Sequence, residues 1–540
     1  MRKSKTDKHT AEINVTRAVQ TDLGDTYCLV TKGKKRHWVS LTEIVDSPKT
    51  VLADLARAGI PLVSSKAVSN LRNLLQDHPK PTLALVASQP GWLADNVYVH
   101  PNGDIQKGQK VDAEIIVAFL ADSAYGSAGS EDEWKKAIAP YIEEHDTMTF
   151  LLAYGFASVL IAKVRPSPQN PIVELFGARE AGKSTIAMGV GSIFGGCPEG
   201  DIGIGRTANA TPASFKPVQR MANDTLLFLD ETNIVDKAVE ENLKLFFDHT
   251  SRDERLRHGS TSRSQPIRNA LLLTGNQRLA ERSKAALAIV DAAKSRCLSI
   301  DVEGQVFKGK NLTTSDHEKR LVGLRNASNQ FYGTASRAFI ERIIAECEKD
   351  KDAFAKRISK LMAQFREKMP EAEHLPNRLK TTIALSCAAG YIAWKWRIWP
   401  SKKRTILTAC SAIYEEAGRM SARDVQFTSP AIKRLVELIQ NHAGAIEVCE
   451  KTKKRSPSVK AGTVGYMVNE GKGTSRFFFE ADAMERLLGA SMKSDLKEIR
   501  QHGFLKGEKG SSSRLASKAP SYIPTTKRVY EFNLPSALLS

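Results

Sequence analysis

The chain has 540 residues, 41% of them hydrophobic and 26% charged, with a formal net charge of +19. That length exceeds one hydrophobic core, and those proportions exclude a disordered or fibrous chain. The charge favours a polyanionic partner, nucleic acid ahead of a membrane surface.

Seven cysteines stand singly, with no CxxC pair and no Cys/His cluster at metal spacing, so a disulfide scaffold and a zinc finger are excluded. They read as reduced core thiols of a cytoplasmic protein.

Residues 1–10 read as a basic tail without the apolar core of a secretory signal. Residues 11–122 read as an α+β module. Strands are expected within Asp25–Val45 around a Gly33–Arg36 turn, helices over Pro48–Ala58 and Ser64–Gln76, and strands at Thr82–Ala87 and Asn96–His100. No site chemistry is recognisable there. Residues 123–132 are a linker by composition. Phe150–Val164 is apolar but too short to span a bilayer and carries Lys163, so it reads as a buried helix.

Residues 133–304 carry the chemistry. Pro171–Phe176 is a β-type run, Gly177 breaks it, and a helical pattern follows Lys183. Gly177, Gly182, Lys183 and Ser184 fill GxxxxGK[ST], a loop of backbone N–H groups and a helix N-terminus suited to phosphates, continued by Thr185. Lys183 would reach the β- and γ-phosphates of ATP, and Ser184 would sit on Mg²⁺. The apolar strand Thr225–Leu229 delivers Asp230 and Glu231 to the edge where open α/β sheets bind ligands. There Asp230 would hold the Mg²⁺ water shell and Glu231 would activate the attacking water. Asn269–Leu273 ends at Asn276, a candidate γ-phosphate or water contact with Thr274 as substitute. Arg296, just before the run Cys297–Val302, stands where oligomeric ATPases aim an arginine at the neighbouring subunit's nucleotide. Arg252, Arg255, Arg257, His258, Arg263 and Arg268 form a basic excursion before the third strand, suited to DNA phosphates in a channel.

Residues 305–420 read as an α-helical lid in which Arg378 would reach the γ-phosphate. The tryptophans at 394, 396 and 399 fall in an amphipathic pattern that favours core packing over base stacking for most of them. Residues 451–540 hold 17 Lys+Arg against 8 Asp+Glu. Within 421–540, helices over Ala481–Leu488 and Ser491–His502, a Gly503 cap, a GSSSR wing and a terminal strand follow a winged-helix order. Lys493, Lys497 and Arg500 share one face of the second helix, suited to DNA phosphates.

GWLADNVYVHPNGDI, GAREAGKST, RTANAT, LLFLDE, LLLTGN, SRCLSIDV, QFYGTASRAF, NRLKTTIALSCAAGYIAWKW and GYMVNEGKGTSRFFFE occur here in one order. With them the chain resembles the predicted helicases of phages, plasmids and integrated mobile elements, whose ATPase domain was long catalogued as a domain of unknown function. It departs at Asn276, where the family often has Glu, and at Thr211-Pro212, where a Glu often follows the TANA block. The resemblance implies an AAA+/superfamily 3-like core, a hexameric ring and a primase supplied by another polypeptide.

The fold class expected is therefore α/β: a P-loop NTPase core with an N-terminal α+β module, a helical lid and a winged-helix-like C-terminal domain. The function expected is that of an ATP-dependent DNA helicase or translocase, a homo-oligomer without a membrane partner. The rivals are a ring ATPase that remodels protein or protein–DNA complexes and a non-enzymatic DNA-binding replication accessory.

Overall fold

A computed structural model describes residues 13–143, 145–164, 169–196, 203–207, 212–230, 232, 267–281, 293–302, 307, 313–370, 372, 374–428, 430–450, 462–469, 474–501, 504–506 and 516–535. The chain divides into two units, Met1–Gly418 and Arg419–Ser540, with the boundary inside the helix Lys403–Thr428.

The first unit begins with a sheet in the order Lys35–Ser40, Thr26–Lys32, Ile13–Gln20, Thr82–Leu83. The turn between its first two members is tighter than the expected Gly33–Arg36, because Gly33 at φ +59° lets Lys32 pair with Lys35. The expected strand continuing to Val45 stops at Ser40. Its hydroxyl accepts from the Glu43 N–H at 3.2 Å and starts the helix Leu41–Asp46. Thr82–Ala87 is also two strands, since Leu85–Ala87 leaves this sheet to pair with Ile115–Val117.

The meander Gly91–Ala94, Val97–Val99, Ile105–Lys107 packs on the central layer. Trp92 Nε1 donates to Val159 O at 2.9 Å, and Lys163 Nζ lies 3.6 Å from the Trp92 ring centroid. The apolar run expected as one helix is the helix Asp146–Ser158 followed by a 3₁₀ turn, Ile161–Lys163. That turn aims the lysine of an otherwise buried segment at an indole face and at Asp95 O, 2.9 Å away, which is how its charge is tolerated. Residues 123–132 include buried Tyr125 and the Ser130–Glu133 capping box that opens the helix Glu131–Ile142.

Among the described residues the central sheet has five strands, all parallel: Ile172–Phe176, Arg206–Thr207, Thr225–Asp230, Asn269–Gly275 and Cys297–Asp301. Across the sheet they run fifth, first, fourth, third, second in chain order. Thr225–Asp230 and Asn269–Gly275 are buried along their whole length, as near-continuous apolar strands covered on both faces must be.

Helices Thr314–Gln330, Thr334–Lys368, Asn377–Lys395 and Lys403–Thr428 complete the unit. The second breaks at Asp350, whose backbone is extended (φ −165°, ψ 101°). The Asp350 carboxylate accepts from the N–H groups of Asp352 and Ala353 at 3.0 and 2.9 Å, capping the segment that follows. Trp399 is buried beside Phe156, and Trp396 lies against Phe339 and Phe354.

The second unit is a sheet in the order Ile446–Val448, Gly465–Asn469, Thr474–Glu480, Arg528–Pro535, Leu505–Lys506, with Ser517–Lys518 also on Arg528–Pro535. Helices Pro430–Asn441, Ala481–Leu488 and Met492–Gln501 pack on it around Leu435, Met484, Leu496 and Phe532. Gly503 and the GSSSR segment lie outside the described residues. Among the described residues no helix is long and apolar enough to cross a membrane.

Candidate nucleotide site

Register decides what meets at the sheet edge. Phe176 pairs with both Gly275 and Asp301, and Leu229 pairs with Leu273, so Gly177, Asp230 and Thr274 emerge at nearly one level. Gly177 (φ +142°) turns the chain away from its strand, and a Cβ there would stand 2.7 Å from Val302 Cγ2. Gly182 (φ +93°) precedes the helix Lys183–Gly191. Glu180 between them is left-handed at φ +61°, which a non-glycine residue adopts at a cost of about 1–2 kcal/mol.

The side chains of the loop and the neighbouring strand interlock. Ser184 Oγ donates to Asp230 Oδ1 at 2.8 Å, and the Thr274 hydroxyl donates to the same oxygen. Lys183 Nζ folds back on the carbonyls of Gly177 and Ala178, at 3.0 and 2.5 Å. Burial lowers the Lys183 pKa, opposed by the charge of Asp230. Thr232, buried past the strand end, donates from N and Oγ1 to Thr274 O at 3.0 and 2.8 Å. Two strand ends are therefore stitched together just beyond the carboxylate.

A cavity of about 690 Å³ opens over this edge. Gly182, Lys183, Ser184, Thr185, Asp230, Thr274 and Asn276 line it, so seven of the residues singled out in the sequence share one concavity. Its volume falls in the range of small-molecule and cofactor sites. A hydroxyl and a carboxylate 2.8 Å apart are hard oxygen donors of the kind Mg²⁺ takes, usually alongside water and substrate phosphate.

Sequence reading missed Arg179, Glu180, Leu321, Val322 and Arg325, which line the same cavity. The signal for the last three was Gly189, inside a helix where glycine costs about 1 kcal/mol relative to Ala. A Cβ there would meet Leu324 Cδ1 at 2.9 Å, so the glycine lets the helix Thr314–Gln330 approach closely and hang Arg325 over the cleft. Glu174 was also missed. Fully buried in the loop strand, it accepts from the Leu279 N–H at 2.8 Å and from Ser299 Oγ at 3.1 Å, tying the segment after Asn276 to the sheet.

Other expected residues lie elsewhere. Arg378, at the start of the helix Asn377–Lys395, is not on the cavity wall; desolvation and then the charge of Arg296 lower its pKa. Arg268 is committed to another task. Its Nε and Nη2 donate to the two oxygens of fully buried Asp224 at 2.6 and 2.7 Å, so we withdraw it from the DNA-binding set. Asp224 also accepts from the Trp92 N–H at 2.9 Å, and neighbouring Asn223 bridges Pro90 O and Arg268 N, so this pair seats the meander on the sheet.

Glu231, Arg252, Arg255, Arg257, His258 and Arg263 lie outside the described residues. In the second unit Lys493 and Lys497 are exposed and Arg500 is half-buried on the helix Met492–Gln501. Its inner face is fixed by Asp495, which holds Arg434 and Ser491.

Residues 14–264 match the family model described as "Domain of unknown function (DUF927)". No curated protein matches the sequence. The solved structure "SCCmec type IV Cch - active helicase" is similar over 98% of this chain and 95% of that one, at 14% identity and a TM-score of 0.55, which establishes a shared fold. The A form apo structure of the NrS-1 C terminal region matches 94% of each chain at 11% identity and a TM-score of 0.31. An inhibitor-bound JCV helicase matches 43% of this chain and 71% of that one at 14% identity and 0.21. Those last two scores are too low to add to the fold assignment.

Proposed function

We propose, for a chain whose residues 14–264 carry the DUF927 domain and whose fold is shared with a mobile-element helicase, the activity of an ATP-dependent DNA helicase or translocase. It works as a ring oligomer in the replication of a mobile element. The observation that carries this reading is the convergence of Lys183, Ser184, Asp230 and Thr274 on one cavity at the C-terminal edge of a parallel sheet.

In this reading the core is a P-loop ATPase. Backbone N–H groups of residues 177–184 cradle the phosphates of ATP, and Lys183 leaves the loop carbonyls to meet the β- and γ-oxygens. Ser184 and Asp230 would hold Mg²⁺, which would supply charge to neutralise the phosphates, and Thr274 would fix the carboxylate. Glu231, next in sequence to Asp230, orients and deprotonates the attacking water, with Asn276 beside the γ-phosphate.

Arg296 faces the nucleotide of a neighbouring subunit. Mixing Arg296→Ala with Glu231→Gln protein is then expected to restore part of the hydrolysis each lacks, because some interfaces pair an intact Arg296 with an intact Glu231. No recovery in demonstrated mixed oligomers would remove this role.

ATPase assays with and without single-stranded DNA, followed by separation of a forked duplex, test the whole reading. Stimulation and unwinding support it. Hydrolysis without either favours a remodelling ATPase, and no hydrolysis favours a DNA-binding accessory.

The basic segment before the third apolar strand couples hydrolysis to DNA. Arg255→Ala with Arg257→Ala is expected to abolish DNA stimulation and unwinding while basal hydrolysis remains. The winged-helix-like second unit holds DNA separately, so Lys493→Ala with Lys497→Ala and Arg500→Ala is expected mainly to weaken duplex affinity. That loss flattens the log–log salt dependence by about one unit per lost phosphate contact. Normal unwinding by the double variant would rule out the coupling role.

A further inference from the structure

A long stretch of excess positive charge in the first unit is far along the chain from the glycine loop. Residues 351–410 hold thirteen Lys+Arg against four Asp+Glu. In this stretch the helix segment after Asp350, the helix Asn377–Lys395 and the start of Lys403–Thr428 enclose two adjoining cavities of about 190 and 160 Å³. The cavities share Leu361, Gln364 and Tyr391, so they form one groove.

Arg357, Lys360, Lys368, Lys395 and Lys403 stand along it, and among the described residues no carboxylate lines either cavity. Lys360, Gln364 and Lys368 follow one another at helical spacing, as do Tyr391 and Lys395 on the facing helix, so both walls present their cations to the same opening. The floor is aromatic and aliphatic. Tyr391 lies on it partly exposed, and Trp394, which is not on the lining of either cavity, has its ring centroid 5.7 Å away. Lys403 Nζ lies 4.6 Å from the first ring and 5.3 Å from the second. From Arg357 to Lys368 the wall extends about 16 Å at 1.5 Å per residue.

Arg357 is paired with Glu346, but Lys360, Lys368, Lys395 and Lys403 are exposed along the groove. Such cations above a π-face, with no carboxylate on the lining among the described residues, match what a nucleic acid strand requires: phosphates held outside, bases stacked within. An acidic peptide would satisfy the lysines but leave the ring face without a partner of its own kind.

We propose that this groove is a binding site for a single strand of nucleic acid, with Tyr391 as the stacking platform and Lys360, Lys395 and Lys403 as the phosphate contacts. The site is separate in sequence from residues 252–263 and from the second unit's basic helix. It rests on the DNA reading above only in naming DNA as the strand. A base stacked on Tyr391 meets a ring whose electron density is already engaged by Lys403, so loss of either residue weakens the hold of the other.

The test is anisotropy titration of a fluorescent oligo-dT of about 20 nucleotides with the full chain, across a salt series. Lys360→Ala with Lys395→Ala and Lys403→Ala is expected to weaken binding at least tenfold and to reduce the log–log salt slope by about two, at about 0.7 per single-strand contact. Tyr391→Ala is expected to weaken binding about tenfold, whereas Tyr391→Phe, which keeps the ring, is expected to bind like wild type. ATPase without DNA is expected to be unchanged in all of them, which separates loss of the groove from loss of the fold.

Wild-type affinity and salt slope in the triple lysine variant would overturn the groove while leaving the helicase reading intact. Tight binding of an acidic peptide by wild type, with oligo-dT unaffected by the variants, would overturn it in favour of a protein partner. Oligo-dT binding that depends on the groove in a protein that never unwinds a fork would uphold the groove and remove the helicase reading.

Discussion

Lys183→Ala is expected to lose most of its ATP affinity, whereas Glu231→Gln is expected to bind ATP as wild type does and to lose turnover by about 10²–10⁴-fold. The two changes remove different physical terms. Among the described residues the ammonium of Lys183 donates to the carbonyls of Gly177 and Ala178, and burial lowers its pKa against the opposing charge of Asp230. A phosphate is a far better partner for it than two neutral carbonyls, so its removal appears in binding and, as with other charge-stabilising donors, in a rate loss of about 10²-fold or more. The Glu231→Gln change keeps shape and, on the function proposed, removes only the base. Nucleotide titration by fluorescence and steady-state hydrolysis on both variants separate the two. Equal ATP affinity in wild type and Lys183→Ala would sink the assignment of the loop.

The second large effect concerns stability. Asp224→Asn is expected to destabilise the first unit by about 3–5 kcal/mol, because it leaves the Arg268 guanidinium, only 21% exposed, without the charge that compensates its burial. Asparagine is chosen because Asp224 sits at φ +53°, where Asn is tolerated and most other residues are not. The ledger changes if both partners go. Asp224→Asn combined with Arg268→Met removes the orphaned cation and is expected to recover part of the loss, since replacing a buried pair outright is commonly near neutral. Denaturant midpoints of the single and double variants decide this. A loss under about 1 kcal/mol in the single variant would mean that the pair holds no weight.

The elements that carry the candidate site were legible because each is local. Thr225–Leu229 and Asn269–Leu273 are apolar runs whose limits follow from composition, and Gly177, Gly182 and Lys183 mark their own loop by spacing. What stayed hidden depended on residues far apart. Asp224 and Arg268 are separated by 43 intervening residues, and nothing in either neighbourhood announces the pairing, so Arg268 was grouped with the basic residues before it. Glu174 reads as a polar interruption in a strand until Leu279 and Ser299 are placed against it. The strands Ile13–Gln20, Gly465–Asn469 and Thr474–Glu480 escaped for another reason: their partners lie across turns and glycine-containing segments, and strand propensity is decided by neighbours more than by the run itself.

The break at Asp350 has a bearing on how this chain tolerates change in length. In an unbroken helix, one inserted residue turns every later side chain by about 100°, so a 35-residue helix would carry that phase error to its far end. Here the rotation stops at a residue that is already non-helical and that starts the next segment with its own carboxylate. The portion that meets the meander through Arg337 and Glu348 and the portion that forms the wall from Arg357 to Lys368 therefore keep separate angular settings. An insertion or deletion beside Asp350 is therefore expected to preserve both faces, as a joint between two shafts lets each be clocked on its own.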